Sequence, residues 1–151
     1  MPSQATSYFY TIVAMGVVAL VATNAFKIQV AGLKAVSDRQ ELRELLEAVA
    51  TEATELIAFT EATNATAKVS LQTPTLIGDK VYWVRLYSDA TEAWVEGAFG
   101  KLWAGSPDYR VELPGGVEAS GAYIGGFGTL MLESAIQGGG PTVTLARWEG
   151  G

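Results

Sequence analysis

Uncharged and mostly apolar positions run without a break from Ser7 to Phe26, "SYFYTIVAMGVVALVATNAF", twenty residues in all. A bilayer-spanning helix needs about 20 such residues. Apolar character on every side demands an apolar environment on every side. The pattern changes beyond Lys27. From Leu42 the apolar positions fall at Leu42, Leu46, Val49, Ala53 and Leu56, with Leu45 and Ile57 widening the row. Steps of four, three, four and three make a helical seam of coiled-coil type. Arg39, Glu41, Arg43, Glu44, Glu47, Glu52 and Glu55 lie between them and define a wet face. No proline separates Pro2 from Pro74, and Gly16 and Gly32 are the only glycines before Gly78. The two patterns therefore predict one continuous helix from about Ser7 to Thr60. At 1.5 Å per residue it would be ~80 Å long, against a hydrocarbon core of ~30 Å.

After Asn64 the period shortens to two. "KVSLQT", "VYWVRLY", "TEAWVEGAF", "YRVEL", "VEASGAYI", "TLMLES" and "TVTLARW" read as strands. "GSPD", "PGG", "GGFG" and "QGGGP" between them carry turn chemistry, as does Gly78-Asp79. The expected fold class is α+β: a long N-terminal helix over residues 1–60, apolar then amphipathic, and a small antiparallel β-sandwich-like domain over 61–151.

Composition narrows the chemistry. Cysteine and histidine are both absent, which removes disulfides, thiolate metal sites, the commonest general base and the commonest metal ligand. The net charge of −6 lies wholly beyond Phe26, and no basic patch suits phosphates, so nucleic acid is not an expected partner. No enzyme activity and no cofactor are expected. Abundant glycine and threonine with few lysines resemble the surfaces of secreted β-rich proteins.

Three roles compete for the apolar segment. An uncleaved signal peptide has an apolar stretch of only 7–15 residues after a basic region; this stretch is longer, and no basic residue precedes it. A single-pass anchor fits its length. A polymer subunit, whose helix is surrounded by copies of itself, also needs an all-round apolar surface. It needs a continuation that carries a folded domain as well.

On "YFYTIVAMGVVALVATNAFKIQVAGLKAV", an uncharged helix passing unbroken into an amphipathic one before a small β-domain, the chain resembles the archaeal type IV pilin superfamily. The absence of a glutamate near the N-terminus and of a helix-breaking proline resembles its archaeal more than its bacterial branch. The resemblance implies a precursor with a basic leader, cleaved before subunits leave the membrane for an extracellular helical homopolymer serving adhesion or attachment. The expected polymer core comprises Tyr8, Phe9, Tyr10, Ile12, Val13, Met15, Val17, Val18, Leu20, Val21, Phe26, Ile28 and Val30. Leu42, Leu46, Val49, Ala53 and Leu56 are expected to dock the helix on the domain. No basic leader stands before Ser7. If Met1 is a start, Lys27, Lys34, Arg39 and Arg43 would hold the domain in the cytoplasm; if a leader has been removed, that objection lapses. The competing reading is a single-pass membrane protein whose β-domain binds a partner or a glycan.

Other candidates are local. Asn64-Ala65-Thr66 is a glycosylation sequon at the expected helix–domain junction. Tyr8, Phe9 and Tyr10 suit an interfacial aromatic belt or ring packing between subunits. Gly16 among Ala14, Ala19 and Ala22 permits close helix approach. Asn24 bonds across helices or marks the membrane edge. The glutamates of the wet face read as solvated, with Arg43 and Glu47 spaced to pair. Asp79, Asp89 and Asp108 fall in turns, without EF-hand spacing. Trp83, Trp94, Trp103 and Trp148, with Tyr82, Tyr87 and Tyr109, could form a carbohydrate-binding face, although the alternation of "VYWVRLY" sends some of them to the core. The glycine loops 114–116, 125–128 and 138–140 are expected to be exposed.

Overall fold

The computed structural model describes residues 2–102 and 106–148, with side chains described within 3–102 and 106–147. One helix, α1 (Pro2–Thr63), is followed by β1 (Ala67–Leu71), β2 (Tyr82–Ser88), β3 (Ala93–Phe99), β4 (Tyr109–Leu113), β5 (Glu118–Ile124), β6 (Thr129–Gln137) and β7 (Gly140–Trp148). The chain divides into two compact units, Met1–Ser37 and Asp38–Gly151.

Helix α1 ends where the backbone turns left-handed. Asn64 has φ 54°, and its N–H reaches back to the Thr60 carbonyl at 2.8 Å. Asparagine adopts this conformation more readily than most side chains, so it serves here as the helix terminator.

The seven strands form one sheet in the order β1-β6-β7-β5-β2-β3-β4. All neighbours are antiparallel except β5 and β7, which are parallel. The class is α+β, but the strands do not stack as two sheets. The stripe of α1 from Leu42 to Ile57 occupies the place a second sheet would take. Leu42, Leu46, Val49, Ala50, Ala53 and Ile57 share one core with Tyr82, Val84, Leu86, Val95, Tyr123, Leu130, Leu132, Val143 and Leu145.

Glycines permit two of the closest approaches. At Gly121 (φ 108°) β5 changes partner. Glu118–Gly121 pair with β7, and Ala122–Ile124 pair with β2. A Cβ at Gly121 would collide with the Leu145 carbonyl, so the change of partner requires glycine. A Cβ at Gly97 would lie 2.7 Å from the Trp83 carbonyl oxygen and 3.0 Å from Leu46 Cδ2. The helix is thus seated over a bare point of β3.

Candidate functional site

In the unit Met1–Ser37 the helix buries none of its large apolar side chains among the described residues. Tyr8, Phe9, Tyr10, Ile12, Val13, Met15, Val17, Val18, Leu20, Val21, Phe26, Ile28 and Val30 are all exposed, from 46% at Val13 to 73% at Ile28. Leu33 and Val36 continue the exposed apolar surface past Lys27. Two threonine hydroxyls in this arm are turned onto its own backbone. Thr11 Oγ1 donates to the Ser7 carbonyl at 2.9 Å and Thr23 Oγ1 to the Ala19 carbonyl at 2.8 Å. Such bonds let hydroxyls enter an apolar surrounding without an unmade hydrogen bond. Phe9 and Tyr10 meet edge to face at 6.2 Å. The helix is long and apolar enough to cross a membrane.

In the second unit, Leu42, Leu46, Val49 and Ala53 are buried, while Leu56 is half-buried beside the buried Ile57. Asp38 enters this unit as a buried carboxylate. It lies against the Ile77–Lys80 turn, where a Cβ on Gly78 (φ 64°) would come within 2.6 Å of Asp38 Oδ1. Lys80 Nζ stands 3.2 Å from Asp38 Oδ2 and 5.1 Å from the Phe99 ring centre. A groove lined by Val81, Phe99, Leu102, Ile124 and Phe127, with Lys80 and Lys101, opens alongside.

The face of β2, β3 and β4 turned away from the core carries a polar–aromatic cluster that the sequence reading did not assemble. Register sets Arg85 opposite Glu96 and Tyr87 opposite Trp94, and places Arg110 beside Glu96. Glu96 is buried, ion-paired with Arg85, 3.8 Å from Arg110 and bonded by Trp94 Nε1 at 2.9 Å. The Arg85 guanidinium lies 5.6 Å from the Trp83 ring centre and 5.5 Å from that of Tyr87, while Arg110 covers Trp94 at 4.0 Å. Tyr82 points the other way into the core; burial raises its phenol above the ordinary value, and the hydroxyl donates to the Pro74 carbonyl. Tyr109 is half-buried against the core. Trp103 and the Trp148 side chain lie outside the described residues.

Asn64 is exposed, so its amide is accessible as a sequon as well as being the helix cap. Asn64→Gly should remove the acceptor and retain helix termination, whereas Asn64→Ala should lower the melting free energy by about 1 kcal/mol. Thermal denaturation of both variants checks this expectation. Glu41, Glu44, Glu47 and Glu55 are exposed and Glu52 is half-buried; Arg43 Nε meets Glu47 Oε1 at 3.1 Å. Among the described residues no group of three or more His, Cys, Asp or Glu could hold a metal. Asp89 caps the β2–β3 turn, accepting from the N–H groups of Thr91 at 2.8 Å and Glu92 at 2.7 Å. Those bonds hold its carboxyl below the ordinary range. The loops at 114–116, 126–128 and 138–139 are exposed, but Gly140 is half-buried and Gly125 is buried against the Tyr82 ring, with which a Cβ there would collide.

Comparison with protein-family models, curated proteins and solved structures finds no match to this chain.

Proposed function

We propose that the chain is the structural subunit of an extracellular, archaeal type IV pilus-like filament, polymerised through the apolar arm of α1 after a period in the membrane. The observation that carries this reading is the length over which the arm needs covering. Exposed apolar side chains run from Tyr8 to Val36. At 1.5 Å per residue this stretch extends ~43 Å, whereas a bilayer supplies a hydrocarbon core of only ~30 Å. Neighbouring arms of the same kind cover the whole length. Each fully covered Val, Leu, Ile or Phe side chain contributes roughly 1.5–3 kcal/mol before ordering costs, so such a polymer is held by the sum. Adhesion or surface attachment is the role proposed for the polymer, and a glycan on Asn64 would shield its surface.

A second reading, the single-pass anchor, is favoured by the aromatic group at Tyr8–Tyr10 and the first lysine at Lys27. These lie ~28 Å apart along the helix, close to one hydrocarbon thickness. Negative-stain electron microscopy of the sheared surface fraction from the source cells, with mass spectrometry of that fraction, separates the two. Thin filaments composed of this chain are expected. Recovery only from detergent-extracted membranes, without filaments, would establish the anchor instead.

A further inference from the structure

We propose that the trough between β2 and β5 on the outer sheet face binds a neutral saccharide chain, a recognition function that stands whether or not the arm polymerises.

The trough exists because the sheet ladder opens there. Strand β2 pairs with β5 only from Trp83 to Arg85, against Ala122 to Ile124. Beyond that point Gly121 turns β5 toward β7, and the strands separate. Ser88 Oγ bridges the far end, accepting from the Ala119 N–H at 3.0 Å and donating to its carbonyl at 3.2 Å. The open cleft, of about 420 Å³, is lined by Arg85–Ser88 and Glu118–Ala122. That volume falls within the ~300–1,000 Å³ usual for small-ligand sites.

Its walls are unequal. On β2, Tyr87 is 48% exposed, yet its ring is braced by Trp94 at 5.1 Å and by the Arg85 guanidinium at 5.5 Å. On β5 the residues of the same outward set, Ser120 and Ala122, are small, so little side-chain bulk faces the Tyr87 ring. A braced aromatic surface beside a shallow, mostly apolar floor edged by Ser88, Glu118 and Ser120 suits a pyranose, which presents C–H groups on one face and hydroxyls around its rim. Those hydroxyls require both donors and acceptors. Glu118 supplies an acceptor carboxylate, and Ser120 and the Tyr87 phenol supply groups that do both.

Charge selects among ligands. The Arg85 guanidinium is already paired with buried Glu96, and Glu118 is an exposed carboxylate at the other wall. An anionic ligand therefore meets a negative wall, and the nearest guanidinium already has a carboxylate partner. A peptide strand would need free ladder groups along the opening, but the Ser88 bridge closes its far end. A neutral saccharide meets neither obstacle.

The test uses the full chain in lauryldimethylamine oxide, a detergent without a sugar headgroup. Maltohexaose, cellohexaose, chitohexaose and mannohexaose are titrated, with tryptophan fluorescence and calorimetry as readouts. Saturable binding of at least one probe is expected. Tyr87→Ala, which removes the wall, and Ser120→Phe, which fills the trough, should each weaken it about tenfold or more. Tyr87→Phe should retain most of the affinity with an unchanged fold by circular dichroism, and Glu118→Gln should weaken binding about threefold or more. No saturable response to any of the four probes overturns the proposal. So does binding that is the same in Ser120→Phe and Glu118→Gln as in the parent.

Discussion

Val18→Asp should abolish the proposed filament assembly and leave the sheet folded: this is the largest effect expected of any single change in the arm. Val18 is 67% exposed in the isolated chain and lies in the middle of the uncharged stretch. In a bundle of such arms its side chain would be enclosed by apolar neighbours, where an unpaired carboxylate costs several kcal/mol or else takes up a proton. The penalty recurs in every subunit, so it acts on each step of polymer growth. A lone membrane anchor responds differently. One aspartate near the centre of a long apolar helix costs about 2.5–3.5 kcal/mol on insertion scales, which the remaining apolar residues offset. The variant should therefore still sediment with membranes and retain the parent's far-ultraviolet and near-ultraviolet circular dichroism of the sheet. Electron microscopy should find no filaments. Normal filaments from Val18→Asp, or from Val17→Asp, would exclude a packed core formed by this segment.

Leu46→Ala should do the reverse, destabilising the β-containing unit while leaving the chemistry of the arm untouched. Leu46 is fully buried and lies over Gly97. Gly97 has no side chain to move into the vacated space, which favours an open cavity. Truncations of this kind cost about 2–5 kcal/mol, a large fraction of the roughly 5–15 kcal/mol that holds a domain together. For a unit of this size the melting temperature should fall by on the order of 10–20 °C. Leu20→Ala provides the contrast, since Leu20 is 66% exposed and belongs to the other unit. Its melting temperature, measured on the unpolymerised chain in detergent, should equal the parent's. A comparable loss from Leu20→Ala would contradict the separation of roles along α1.

The change of period along α1 was legible because burial on one side leaves a spacing behind. Leu42, Leu46, Val49 and Ala53 recur at helical steps, and an apolar stretch free of charge needs no partner to be noticed. The seven strands were legible for the same reason, through alternation broken by glycine and proline. Their pairing was not. Nothing local announces that β5 serves β7 with one half and β2 with the other, since Gly121 looks like any glycine in a Thr- and Gly-rich chain. The single sheet in place of a sandwich follows from where the helix stripe lies, which spacing alone does not say. The Glu96 cluster was hidden because nothing in the sequence ties its members together. Only the register of β2, β3 and β4 brings Arg85, Trp94 and Arg110 onto one carboxylate.

The strand order also dictates when the sheet can close. Strands β2, β3 and β4 follow one another along the chain and lie side by side, so they can pair through short loops. Strand β1 must wait for β6, across the separation from Lys68 to Glu133, and β7, the seventh strand, sits between β6 and β5 near the middle of the sheet. Distant pairings form slowly because loop closure precedes their reward. During synthesis the three-strand meander can therefore form early, while Val143 and Leu145 arrive late to complete the floor beneath the Leu42–Ile57 stripe. The apolar arm emerges from the ribosome long before that moment. Its delivery to a membrane or a chaperone is thus free to precede the folding of the domain behind it.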